Sequence, residues 1–219
     1  MSEHKDLKEE ARAAVNQYIE KGIGAEGSVQ LYSDSGAKYD KYMVAYDYSG
    51  PRTAAQTVAD LGKDNFDAKI LDIGAGTGLV AEELIQRGYK NIDAVDAAEG
   101  MLKVAEEKNI YGKIVCQFIG NEKLPFDDKT YDFVVSSGAM QENHIPREAF
   151  RDIIRVVKPG GYIVSVFRAE AANAQWYKEG LEVYFAELEK EGLWKLHHRE
   201  IYPHFVTDKD GLILVYQVL

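Results

Sequence analysis

Cysteine is nearly absent. Cys116 is the one example in 219 residues, which excludes an intramolecular disulfide and a Cys-rich zinc site and suits a reducing compartment. Long apolar runs are missing too: no stretch approaches the roughly 18 residues of a membrane span, and the opening MSEHKDLKEEARAAV has no apolar segment of the signal-peptide kind. The expectation is a soluble, cytoplasmic protein with no membrane partner. Positive charge is scarce as well, with 26 Lys and Arg against 36 Asp and Glu and a formal net charge of −10. Chains whose main work is gripping phosphate backbones carry basic stripes that displace counterions, so nucleic acid is not expected as the main partner. What is present is 46% hydrophobic and 11% aromatic residues, apolar enough for a buried core and too apolar for disorder, at about the length of one large α/β domain.

Short runs rich in Val, Ile and Phe, at residues 69–73, 91–96, 113–119, 131–137 and 162–168, alternate with helical periodicity at 78–87, 98–108 and 146–157. Strands alternating with helices of about 10 to 15 residues predict βαβ units, a parallel sheet and right-handed crossovers. Gly88 is placed to stop one helix, and Lys158-Pro159-Gly160-Gly161 to break the chain before the strand that follows the last one. Residues 1–21 are charged with a helical period, and Gly22, Gly24 and Gly27 then interrupt, which predicts a first helix joined loosely to the rest. A tyrosine-dense stretch follows, with Tyr32, Tyr39, Tyr42, Tyr46 and Tyr48, before Ser49-Gly50-Pro51 opens another helix with Pro in the first turn, where its missing N–H costs nothing. Toward the other end, residues 179–190 place Leu181, Phe185 and Leu188 on one helical face, and the runs 194–205 and 211–219 form a hairpin turning over 207–211. No repeat or linker interrupts this order. The expected division is an N-terminal helix and tyrosine-rich lid over residues 1–50 and a core over 51–219.

The sharpest local feature is Ile70-Leu71-Asp72-Ile73-Gly74-Ala75-Gly76-Thr77-Gly78-Leu79. A buried strand runs into a glycine turn that opens a helix, so the backbone can approach a ligand closely and helix N–H groups stay free. The dinucleotide fingerprint places its third glycine where Leu79 stands, which weakens a nicotinamide reading. Asp72, two residues before the first glycine, would repel a pyrophosphate and attract an ammonium and a sulfonium. Asp96 ends the next strand at about the offset where a carboxylate accepts hydrogen bonds from both hydroxyls of a ribose. A nucleoside with positive charge in place of phosphates is S-adenosylmethionine.

In order along the chain, Asp72-Ile73-Gly74-Ala75-Gly76-Thr77-Gly78, Asp96, Gly120-Asn121-Glu122 with Leu124-Pro125-Phe126, Tyr131-Asp132-Phe133-Val134-Val135 and Lys158-Pro159-Gly160-Gly161 resemble the motifs of class I methyltransferases over residues 32–168. Tyr39-Asp40, Tyr46-Asp47 and the Gly120–Pro125 segment are similar to the methyltransferase-like family named after the Williams-Beuren deletion region. The resemblance implies an α/β fold: a three-layer Rossmann-like sandwich whose seven-stranded sheet is mostly parallel with an antiparallel C-terminal hairpin strand. It implies that Gly74, Ala75, Gly76, Thr77 and Gly78 line S-adenosylmethionine, that Asp72 orders the loop or approaches the ammonium, and that Asp96 holds the ribose. Ala97 and Met101 would cover the adenine, Asn121 would accept from its amino group, and Gly120 and Glu122 would offer backbone to the ring. Ser137 would lie beside the methionine ammonium, and the tyrosines, Tyr39 and Tyr46 among them, would close a lid.

Methyl transfer from a sulfonium needs an oriented acceptor and exclusion of water, and a base only where the acceptor must lose a proton. No metal cluster is expected. His144, in the loop Gln141-Glu142-Asn143-His144 after the fourth strand, is best placed as that base, with Glu142 its neighbour. Ser137-Gly138-Ala139-Met140 stands where amino-directed nucleic-acid methyltransferases carry their Asn/Asp-Pro-Pro signature. A small-molecule acceptor is therefore the expectation, with a protein side chain as the alternative. A nicotinamide-dependent oxidoreductase and a cofactor-binding scaffold without turnover are the readings from other classes.

Overall fold

The computed structural model describes residues 2–18 and 22–219, with side chains from residue 7 onward. Met1 and residues 19–21 of the expected first helix lie outside the described residues. The chain opens with α1 (Ser2–Tyr18), α2 (Gly24–Ala45) and α3 (Gly50–Gly62), then alternates β1 (Lys69–Ile73), α4 (Leu79–Gln86), β2 (Asn91–Asp96), α5 (Glu99–Lys108), β3 (Ile114–Cys116) and β4 (Tyr131–Ser137). It closes with α6 (Phe150–Val156), β5 (Val157–Arg168), α7 (Leu181–Lys190), β6 (Trp194–Val206) and β7 (Lys209–Val218).

The seven strands form one sheet in the order β3-β2-β1-β4-β5-β7-β6. All pairings from β3 to β5 are parallel, and β7 runs antiparallel between β5 and β6. This is the doubly wound, mostly parallel sheet that the strand–helix alternation predicts. Side chains leave successive residues of a strand on opposite faces, so Ile70 packs with Val58, Val80 and Leu84 on one side while Leu71 and Ile73 pack with Phe150, Ile153 and Phe185 on the other. Helices thus cover both faces. Chain order reverses between β1 and β4, and the crevice at the C-terminal ends of those strands is where such sheets bind ligands.

Several expectations need correction. Gly22 and Gly24 take positive φ of 79° and 74°, but Gly27 lies inside α2. A glycine in a first turn costs about 1 kcal/mol at most, and packing outweighs it. Nor is α1 loosely joined: its Ala11, Val15 and Tyr18 are buried against Tyr42, Met43 and Ala45 of α2. The Lys158–Gly161 break falls within β5 rather than before it. Val157 pairs with Tyr131 and Tyr162 with Phe133, so the Pro-Gly-Gly segment bulges out between two resumed pairings. Strand β3 is shorter than expected because it is the sheet's edge, with β2 its one partner. The hairpin turn is tighter, since Val206 pairs with Lys209 and leaves two residues in the loop.

Candidate active site

The turn from β1 into α4 needs its glycines. Gly74, Gly76 and Gly78 have φ of 66°, 57° and 91°, a region that side chains with a Cβ avoid. Space forbids a Cβ as well: one on Gly74 would sit 2.6 Å from Ala139 Cβ, and one on Gly78 2.7 Å from Ile110 Cδ1. At the end of β2, Asp96 ties the loop down. Gly76 N–H donates to its Oδ2 and Ala98 N–H to its Oδ1, both at 2.8 Å. Burial pushes its pKa up, and these backbone donors oppose that rise.

Asp72 is fully buried at the foot of the loop. Tyr111 O–H donates to Oδ2 at 2.7 Å, while Oδ1 is buried with no partner among the described residues. Burial pushes the carboxyl up to about 7, against the Tyr111 bond and with the Asp96 charge adding to the rise. A buried acceptor left free in this way is costly, and a cationic group in the cavity above would satisfy it.

Helix α2 roofs the cavity with one stripe, Ser28, Val29, Tyr32 and Tyr39, whose helical spacing puts them on a common face. Two devices hold it there. Thr77 O–H donates to Asp40 Oδ1, and Lys108 Nζ bridges Asp40 and Glu82 at 2.7 and 2.8 Å, joining α2 to α4 and α5. Gly36 of α2 also meets Gly100 of α5 so closely that a Cβ on Gly100 would fall 2.1 Å from Ser33 O. Tyr18 of α1 stacks on Tyr32, with ring centroids 4.6 Å apart.

The loop after β4 closes the far wall. The Nδ1–H of His144 donates to Glu142 O at 2.8 Å, which leaves Nε2 to accept from Tyr32 O–H at 3.0 Å and Gln141 Nε2–H at 2.9 Å. Desolvation pushes this imidazole down to about 4, with the Glu142 carbonyl opposing and Arg168 adding to the fall, so it is neutral at physiological pH. Ser137, ending β4, shares a 2.7 Å hydrogen bond with Tyr48 O–H.

The space beneath this roof is partly open to solvent and measures about 110 Å³. Of the expected residues, Tyr39, Gly74, Gly76, Asp96, Ala97, Met101, Ser137 and His144 line it. Ala75, Thr77 and Gly78 are buried behind the loop, and Asp72 lies beneath it. The structure does not bring the rest to the wall: Gly120, Asn121 and Glu122 are exposed on the loop after β3, and Tyr46 packs between α1, α2 and the α3 side of the sheet. Sequence reasoning missed Ser28, Val29, Phe118, Ile119, Gly138, Asn143 and Ile145 as lining residues. The helical stripe through Tyr32 and Tyr39 held the signal for the first two. Phe118 and Ile119, one turn of chain before Asn121, offer the apolar faces a flat ring needs. Glycine cradle, ribose-height carboxylate and orphaned Asp72 Oδ1 together fit a nucleoside that carries positive charge.

Residues 71–165 match the family model described as a methyltransferase domain. The chain is similar to human methyltransferase-like protein 27, 33% identical over 168 residues that cover 76% of this chain and 68% of that protein. It is also similar to a demethylmenaquinone methyltransferase of Clavibacter sepedonicus, 37% identical over 98 residues, of whose length it spans 39%. Among solved structures, a putative S-adenosylmethionine-dependent methyltransferase of Methanococcus maripaludis shares the fold, with a TM-score of 0.59 and 20% identity over 91% of this chain and 95% of that one.

Proposed function

Because this chain belongs to the class I S-adenosylmethionine-dependent methyltransferases, we propose that it moves a methyl group from that cofactor to a small-molecule acceptor. The observation that carries the acceptor class is a second, small cavity of about 50 Å³ on the other side of Tyr32, Tyr39 and Gly138. The three residues wall both spaces, so a donor in one and a compact acceptor in the other would meet across them. The Clavibacter relative is named for a quinone-type acceptor, which supports the class and not the compound.

Asp96, Gly76 and Ala98 would hold the ribose, Met101 and Ala97 would cover the base, and Asp72 would face the ammonium end. Bound S-adenosylmethionine would supply a methyl group on a sulfonium, whose positive charge would be discharged as the C–S pair returns to sulfur and the acceptor's lone pair takes the methyl carbon. Where a proton must leave the acceptor, Tyr32 O–H, which faces both cavities, would pass its own proton to His144 Nε2 and take the acceptor's in its place. The low pKa of His144 makes imidazolium costly in isolation, but here positive charge is relocated within the site rather than created. Tyr32 O–H, already on Nε2, would orient the imidazole.

Incubating the protein with labelled donor and, separately, metabolite and protein extracts should put label into a metabolite; label in protein alone would overturn the small-molecule reading. His144→Gln should slow that transfer by a larger factor than it weakens donor binding.

Asp72 makes cofactor binding pH-dependent. Its folded pKa is raised to about 7, so below that pH the free protein holds the proton, and a cation beside Oδ1 must expel it. Affinity should therefore rise with pH by up to about tenfold per unit and level off above about 7. Asp72→Asn should flatten the profile. Calorimetry across this range decides it, and a wild-type affinity that ignores pH would detach Asp72 from the cofactor.

A further inference from the structure

We propose that the second cavity takes a small organic carboxylate with an apolar body, and that Arg168 holds the carboxylate. This rests on the methyltransferase reading above and names its acceptor class. Arg168 ends β5 at the C-terminal edge of the sheet. Its side chain is 13% exposed, so the guanidinium is nearly out of water, yet among the described residues it donates no hydrogen bond. The closest carboxylate oxygen, Glu170 Oε1, lies 3.7 Å away on a side chain that is 54% exposed, too far for a hydrogen bond. Its planar fork of five N–H donors thus has no hydrogen-bond partner among the described residues, and beyond the long ion pair to Glu170 it faces the cavity that it lines. A two-oxygen planar anion is the partner that geometry fits best.

The rest of the lining says what the anion is attached to. Tyr18, Tyr48, Phe167 and Phe205 supply rings, and Met43 and Val15 fill between them. Arg168 is the one charged residue on that wall among the described residues. Charge is therefore divided across the shared wall: Asp72 and Asp96 stand on the cofactor side and a guanidinium on the other. Arg168 reaches Tyr32, Tyr48 and His144 electrostatically, so its positive field extends toward the place where the cationic cofactor would lie. A carboxylate on Arg168 would cancel that repulsion, so acceptor and cofactor would favour one another.

The test loads the whole chain with S-adenosylhomocysteine and titrates it with isovalerate and with isoamyl alcohol, which share a body and differ in the anion. Isovalerate should bind at least about tenfold more tightly, and Arg168→Met should abolish the preference. Equal affinity for acid and alcohol, binding of neither, or a preference that survives in Arg168→Met would each overturn the proposal. Because the acid–alcohol comparison uses wild-type protein, it stands even if the variant fails to fold. Wild-type protein that does not bind S-adenosylhomocysteine would instead sink the methyltransferase reading itself.

Discussion

Asp96→Ala should raise the dissociation constant for S-adenosylmethionine by about 100-fold or more. Both carboxylate oxygens already accept backbone N–H groups, from Gly76 and Ala98, and hydrogen bonds to a charged group contribute about 1.5–3 kcal/mol each. Removing the carboxylate loses the ribose contacts and also frees the loop, so binding must then order what is ordered in advance in the wild type. About 3 kcal/mol in total corresponds to about two decades of affinity. Asp96→Asn, which keeps one acceptor oxygen but loses the charge, should fall between. Calorimetry on both variants measures this, and an Asp96→Ala protein that binds as well as wild type would show that β2 does not carry the ribose site.

Gly100→Ala should destabilise the protein and cut kcat/KM by about 100-fold, although alanine is the better helix former by about 1 kcal/mol. The sign reverses because of what the methyl group meets. A Cβ there falls 2.1 Å from Ser33 O and 2.7 Å from Ser33 Cα, backbone atoms that cannot swing aside. Helix α2 must move away as a unit, and with it Tyr32 and Tyr39. Overpacking of this kind costs about 1–3 kcal/mol, or about 2–4 °C in Tm for each kcal/mol in a chain of this size. The two cores flanking the sheet contain no residue of α2, so far-UV circular dichroism should stay native. A variant that melts higher than wild type would show that the two helices are not in contact in solution.

The parts of the fold legible in sequence are those whose determinants are local. Strands β1, β2 and β4 begin and end where their apolar runs do, because central strands are buried on both faces and cannot shift without exposing them. At β3 and β5 that constraint weakens. The edge strand frays early, and Pro159-Gly160-Gly161, which reads as punctuation, is absorbed as a bulge because pairing with β4 resumes on either side. The site divides the same way. Gly74, Gly76, Gly78 and Asp96 are legible because a turn with positive φ and a capping carboxylate have signatures a few residues long. The contact of Gly36 with Gly100 is not, since each glycine alone looks like a weak point in a helix and only the other explains it. Arg168 also went unread: at the end of an apolar run it looks like a solvated terminus, and its lack of a hydrogen-bond partner among the described residues exists only in three dimensions.

One stripe of α2 forms a side of both chambers. If a donor sits in one and an acceptor in the other, a displacement of that helix that releases the donor would also uncover the acceptor, and one gate would serve both. A turnover limited by that gate would be set by the Asp40–Lys108–Glu82 latch, not by the acceptor's chemistry. Sequence changes around Asp40 and Lys108 would then tune speed without altering which molecule is methylated.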